Sequence, residues 1–174
     1  SPHNVVRLIL NQDTPADTPT DNRYTRAAQH LRDWTREGIL AQDPAPCLYA
    51  YEQEFEVEGK RYIRKGFMAR VRLEKFGEGR IFPHEETMSG PKADRLKLLR
   101  STRTQISPVY SIMRTTGGLP DLPAGEPLYD FDADEQRHVL SAITDKNAID
   151  SLARTIAGAG VYIADGHHRY ETAL

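Results

Sequence analysis

One stretch gathers the groups best suited to chemistry: Val161-Tyr162-Ile163-Ala164-Asp165-Gly166-His167-His168-Arg169-Tyr170. A hydrophobic run breaks at a glycine, and a helix is expected to begin at once. The first N–H groups of a helix have no partner within it, and the helix dipole is positive there. An anion fits such a point, phosphate above all. Gly166 permits close backbone approach. His168 and Arg169 add donors and charge, and a planar guanidinium suits phosphate. Asp165 can cap the helix, orient a histidine or hold a metal. The same residues also make an ordinary Asp N-cap with two surface histidines. Against that stands the helix dipole, which disfavours protonation of two adjacent histidines.

A second cluster is Pro83-His84-Glu85-Glu86-Thr87, followed by Gly90-Pro91-Lys92 and Asp94-Arg95. A histidine beside two carboxylates can do general acid–base work, and the carboxylates can bind a hard divalent ion. A plain polar loop has the same composition. His84, Glu85, Asp165, His167 and His168 together would suit zinc or iron, but no His-Glu-x-x-His spacing joins them. A Ser-His-Asp hydrolase is disfavoured, because no Gly-x-Ser-x-Gly elbow occurs. Both clusters make one site only if the fold joins them, so His84 to Thr87 is expected in the same cleft as His168 and Arg169.

The elements that must position these groups follow from periodicity and punctuation. Residues 5–10 read as a buried strand, and Thr20 or Asp21 as the cap of a helix carrying Tyr24, Ala27, Ala28, Leu31 and Trp34 that Gly38 closes. Residues 47–75 read as a long hairpin turning at Glu58-Gly59-Lys60, with Gly66 marking a bulge or a close backbone approach. Tyr49, Tyr51, Gln53, Phe55 and Val57 share one face, and the interleaved charges form a solvated one. Pro91 is placed at the first position of a helix to about Thr104, with Arg95, Arg100 and Arg103 on its wet face. Strands are expected over 108–113, 128–132 and 136–143, a helix over 146–157, and a buried strand over 161–164. The fold class is therefore α+β: a mixed, largely antiparallel sheet with flanking helices. Residues 1–174 read as a single domain, cut at both ends.

Bulk properties narrow the function. The 174 residues suffice for a real core. With 23 basic and 25 acidic residues, the net charge is −2. That balance disfavours a nucleic-acid partner, although a local basic patch stays open. No apolar run approaches the roughly 18 residues a membrane span needs, and no signal peptide opens the chain. Cys47 stands alone, which excludes a disulfide framework within one chain and favours a cytoplasmic setting as a small hydrophobe.

Asn4-Val5-Val6-Arg7-Leu8, Gly66-Phe67, Pro83-His84-Glu85-x-Thr87, Pro91-Lys92-x-Asp94-Arg95 and Ala164-Asp165-Gly166-His167-His168-Arg169-Tyr170 together resemble an uncharacterised prokaryotic family, the domain of unknown function number ten-fifteen. The resemblance covers nearly the whole chain. It implies that the chain continues past residue 174 and is preceded by a Pro-Pro-Tyr-Asp segment. The last motif also resembles the phosphate-binding turn of the ParB and sulfiredoxin-like superfamily, where Gly-x-His-Arg surrounds nucleotide phosphates. Gly166, His168 and Arg169 match it. His167 stands where sulfiredoxin carries its reactive cysteine, so sulfinic-acid reduction is not implied. ParB-related free-serine kinases share this type of turn.

That resemblance implies a small-molecule phosphotransferase using ATP or ADP with Mg²⁺, bound at Asp165, Gly166, His167, His168 and Arg169. In it, Glu85 or Glu86 would orient or deprotonate a hydroxyl, with His84 assisting and His168 and Arg169 stabilising the phosphoryl charge. Two other classes remain: a non-catalytic nucleotide-gated module, as in ParB-type switches, and a metal-dependent hydrolase. The small-molecule phosphate ligand, any metal and the oligomeric state stay unspecified by the sequence.

Overall fold

A computed structural model of the protein describes residues 1–120, 122–123 and 125–174. The first half runs α1 (Val6–Ile9), α2 (Arg23–Arg36), β1 (Leu48–Val57), β2 (Lys60–Met68), β3 (Ile81–Phe82) and α3 (Ser89–Thr102). The second runs β4 (Tyr110–Met113), β5 (Pro127–Ala133), β6 (Gln136–Ile143), α4 (Lys146–Ile156), β7 (Val161–Asp165) and α5 (His167–Ala173). The class is α+β. Two compact units divide the chain: Ser1–Gln42, Leu73–Met113 and Gly160–Leu174 form one, and Asp43–Arg72 with Arg114–Ala159 forms the other.

The first unit centres on β7, flanked by β3 (parallel) and β4 (antiparallel). Ile163, Ile81 and Tyr170 form its buried cluster, with Phe76, Val109 and Val161 packed against it. The strand is buried on one face only: Ile163 is 1% exposed while its neighbour Tyr162 is 48% exposed. This alternation is what a half-covered strand requires, and it corrects the expectation of a wholly buried strand. Tyr170 reaches back from α5. Its hydroxyl donates to the Glu74 carbonyl at 2.7 Å and accepts the Glu74 N–H at 2.9 Å. One side chain thus satisfies both backbone groups of a loop residue, which otherwise have no ladder to join.

Helix α2 begins with a capping box. The Asn22 side chain accepts the Tyr24 and Thr25 N–H groups, and the Thr25 hydroxyl oxygen accepts the Asn22 N–H. Asn22, rather than Thr20 or Asp21, is therefore the cap, since Asn offers an acceptor at the position where the backbone turns extended. Ala27, Ala28 and Trp34 are buried. Residues 5–10 form no strand. Asn4 Oδ1 accepts the Val6 N–H at 2.9 Å, and the Leu8 N–H donates to the Val5 carbonyl at 2.8 Å. Local turn chemistry outweighs the apolar run, and only Leu8 of α1 is buried. Helix α3 starts at Ser89 after an extended Met88, which puts Pro91 at its third position, still within the turn where a missing N–H costs nothing.

The second unit is a four-stranded antiparallel sheet in the order β2-β1-β6-β5. Glu58 and Gly59, both at positive φ (51° and 75°), make the tight turn that matches the twist of a two-residue hairpin. The β1–β2 register runs unbroken from Tyr49↔Met68 to Val57↔Lys60. Gly66 therefore marks no bulge; it lies opposite Tyr51. The return arm ends at Met68 rather than near residue 75. Ala50, Ser141 and Ile143 are buried together on one sheet face. Asp145 caps α4 by accepting the Ala148 N–H at 2.7 Å, and the buried Leu152 anchors it.

Candidate functional site

The turn at Gly166 has the expected architecture: β7 ends at Asp165 and α5 begins at His167. Gly166 sits at φ 96°, ψ 27° as the N-cap. A side chain there would be strained by the backbone alone. Its Cβ would also lie 2.8 Å from Arg169 Nη2 and 2.9 Å from Arg169 Nε. The Tyr170 N–H closes the first helical bond to the Gly166 carbonyl at 2.9 Å. Among the described residues no acceptor takes the N–H groups of His167, His168 and Arg169, as the free end of a helix dictates.

The fold joins the two polar clusters through the loop between β3 and α3. The His84 N–H donates to His167 Nε2 at 3.2 Å, and the Met88 N–H donates to His168 Nε2 at 3.1 Å. The rings of His84 and His167 meet edge to face, 4.6 Å between centroids. The separation is far below the roughly 15 Å that one small ligand could bridge.

The two adjacent histidines have different jobs. His167 is fully buried. Its Nε2 is an acceptor, so the ring proton is on Nδ1, which lies 3.0 Å from Glu85 Oε1. That contact is close enough for an ion pair but not directed as a hydrogen bond, and Nδ1 has no hydrogen-bond partner among the described residues. His167 is thus a bracket that holds the His84 loop, not a ligand group at the surface. His168 is half-buried and leaves Nδ1 for an outside partner.

His84 is exposed, and its Nδ1 lies 2.7 Å from the Ile163 carbonyl oxygen. A carbonyl only accepts, so Nδ1 carries the proton and Nε2 presents its lone pair. This is how proteins set the tautomer of a working imidazole. Glu86 is exposed and has no partner among the described residues. Asp165 does not cap α5; its carboxylate pairs with the Arg169 guanidinium. The five residues considered for a metal form no metal site: no group of three His, Cys, Asp or Glu side chains able to hold an ion occurs among the described residues. His167 is turned inward and Asp165 is engaged with Arg169.

A third element of the site was not singled out by sequence. Glu171 accepts hydrogen bonds from Lys92 Nζ at 2.8 Å and from the Thr87 hydroxyl. Lys92 foremost, then Thr87, holds its carboxyl below the usual glutamate range. Glu171 follows His168 by three residues, the spacing that places two side chains on one helix face; that was its available signal. A depressed folded pKa means stability present at neutral pH and lost as pH falls below the unfolded value. We expect Glu171→Gln to cost about 1 kcal/mol at pH 7 and much less near pH 3.5, by urea titration at both. A cost that does not shrink in acid would remove the charge from this account.

Arg95 leaves the wet face assigned to it. Its Nη1 donates to the Ile9 carbonyl at 3.1 Å, at the last residue of α1. It lines a cavity of about 30 Å³ with Leu98, Ile106, Arg169 and Thr172. That volume holds a water or two. Arg100 and Arg103 are exposed as expected.

Compared with known proteins, residues 1–174 match a family model described as "Protein of unknown function (DUF1015)". No curated protein and no solved structure matches the chain.

Proposed function

The chain belongs to this family of proteins of unknown function, and on that premise we propose that it binds a nucleotide or similar phosphate compound at Gly166–Arg169 and transfers a phosphoryl group to a small hydroxyl substrate. The observation that carries the reading is the His84 tautomer: Nδ1–H is spent on the Ile163 carbonyl, which leaves Nε2 as a base beside the N–H groups that open α5. Glu86 supplies a carboxylate next to it. Glu85 is drawn toward His167, so of the two it is the positioning group.

His84 Nε2 or Glu86 takes the substrate hydroxyl proton as its oxygen bonds to the terminal phosphorus, and the bond from that phosphorus to the nucleoside diphosphate oxygen breaks. The His167, His168 and Arg169 N–H groups and His168 Nδ1–H receive phosphate charge. Arg169 must trade Asp165 for phosphate. Asp165 is 72% exposed, and such a solvated pair is worth little, so a dianionic ligand outcompetes it. Mg²⁺, held by Glu86 and phosphate oxygens, would neutralise the developing charge. One cysteine and an available nucleotide pool agree with a cytoplasmic setting.

The test is a thermal-shift screen with ATP, ADP, CTP, GTP, pyrophosphate and serine, each with and without Mg²⁺. A ligand that binds the native state alone raises Tm by mass action. The affinity should fall about tenfold or more in Arg169→Ala and stay unchanged in Arg103→Ala. Equal affinity in Arg169→Ala with a lowered Tm would make Arg169 structural and remove the phosphate site.

A further inference from the structure

The pairing registers sort the second unit's side chains into two unlike faces. Partners directly opposite one another point the same way, so Arg64, Gln53 and His138 stand in a row with Phe131 across β2, β1, β6 and β5. Gly66, Tyr51, Leu140 and Tyr129 form the neighbouring row. Tyr62 and Phe55 lie opposite each other on the far side of the Arg64 row. The acidic residues of these strands fall on the opposite face: Glu52, Glu54 and Glu56 of β1, and Asp130 and Asp132 of β5. There they meet cations, as in Lys65–Glu52 at 3.1 Å and Arg137–Asp130 at 2.8 Å. Among the strand residues of the ring-bearing face none is a carboxylate, and the face carries Arg64 and Lys60; the Asp43 carboxylate reaches it only through the Tyr49 hydroxyl, at the end of β1.

The rings of this face are already arranged as a platform. Phe131 stacks on His138 at 5.2 Å between centroids, and His138 stacks on Tyr51 at 6.1 Å. The Tyr51 hydroxyl and His138 Nδ1 lie 2.7 Å apart, which fixes both rings. Phe55 stacks on Tyr62 at 5.9 Å, and the Arg64 guanidinium lies 5.0 Å over Phe55. Tyr62, Tyr129 and Phe131 are 47%, 63% and 53% exposed. A fold does not ordinarily leave that much aromatic surface in one place without use. Gly66 leaves open space beside Tyr51, so a flat group can lie against it.

We propose that this sheet face binds single-stranded nucleic acid, with bases stacked on Phe131, Tyr51 and Tyr62 and the phosphate backbone running toward β2. Single strands are recognised by aromatic rings that accept any base face, together with cations that follow the backbone. β2 supplies the cations of this face: Lys60 and Arg64, opposite Val57 and Gln53. The net charge of −2 does not oppose an anion here, because the acids of β1 and β5 all stand on the opposite face. Gln53 and Gln136, joined by a side-chain hydrogen bond, offer amide groups to base edges between the rings. The proposal is independent of the phosphate site on the first unit.

The test is fluorescence anisotropy of labelled twelve-nucleotide oligo(U) and oligo(dT) against the whole chain, from 50 to 200 mM KCl, with a duplex of the same length. The expected result is saturable binding of the single strands, weakened by salt, with little binding of the duplex. Phe131→Ala and Tyr62→Ala should each weaken it about five- to a hundredfold. Both rings are exposed, so circular dichroism and Tm should stay close to wild type. Lys60→Glu should weaken binding and flatten its salt dependence, whereas Asp132→Asn on the opposite face should leave the affinity unchanged or slightly higher. Absence of single-strand binding at 50 mM KCl overturns the proposal. So does equal affinity in Phe131→Ala and Tyr62→Ala, or a face that takes up a neutral oligosaccharide or a second copy of the chain instead.

Discussion

Ile163→Ala should remove about 2–5 kcal/mol of folding stability, a third or more of what a unit of this size commonly has. Ile163 is 1% exposed on the central strand of the three-stranded sheet. Its side chain fills the space between Ile81 and Tyr170, and truncation leaves a hole that a strand hydrogen-bonded on both sides cannot close. The control is Ile112→Ala on the neighbouring β4, where 55% exposure leaves little to lose, about 0.5 kcal/mol. Urea denaturation of both variants measures the difference. Equal costs would mean that the buried cluster is not the source of this unit's stability. Because the Ile163 carbonyl also holds His84, a displaced β7 should carry the imidazole with it.

His167→Ala is expected to cost nearly as much, about 2–4 kcal/mol, for a different reason. Part is the cavity left by a fully buried ring. The rest is the His84 N–H, which loses its acceptor and cannot fully regain one from water. His167→Leu separates the two, since it restores volume without an acceptor. It should recover part of the loss and leave about 1–3 kcal/mol. His168→Ala, by contrast, should cost less, because that ring is only half-buried. If His168→Ala proves the more damaging, the assignment of bracket and exposed donor is reversed.

The turn at Gly166 was legible because three independent signals coincide there: an apolar run, a glycine and a helix-forming stretch. The strand Gln136–Ile143 and the helix Lys146–Ile156 also stand where the sequence placed them, over 136–143 and 146–157. What was not legible is which histidine turns inward. His167 and His168 are the same residue type one position apart, and only the helix phase distinguishes them: His167 shares its face with the buried Tyr170, three residues on. Nor does local sequence show that Thr87 meets Glu171 or that Tyr170 clamps Glu74. Those contacts span more than eighty residues and are settled by packing. Val5-Val6 misled for the opposite reason, because five apolar residues around Arg7 satisfy a strand and a short helix equally until Asn4 decides.

The first unit draws on three separated stretches, the last of them Gly160–Leu174. That stretch supplies the central strand of its sheet. During synthesis β3 and β4 therefore emerge with nothing between them, and they wait for β7 while the second unit, complete at Ala159, can already close. Loop closure over such distances is slow compared with a local hairpin. The ribosome-bound chain accordingly passes through an interval in which the Glu58-Gly59 hairpin is formed while Ile81 and Tyr110 remain open edges. In that interval the backbone groups of β3 and β4 that later pair with β7 are open edges, available to any other extended strand.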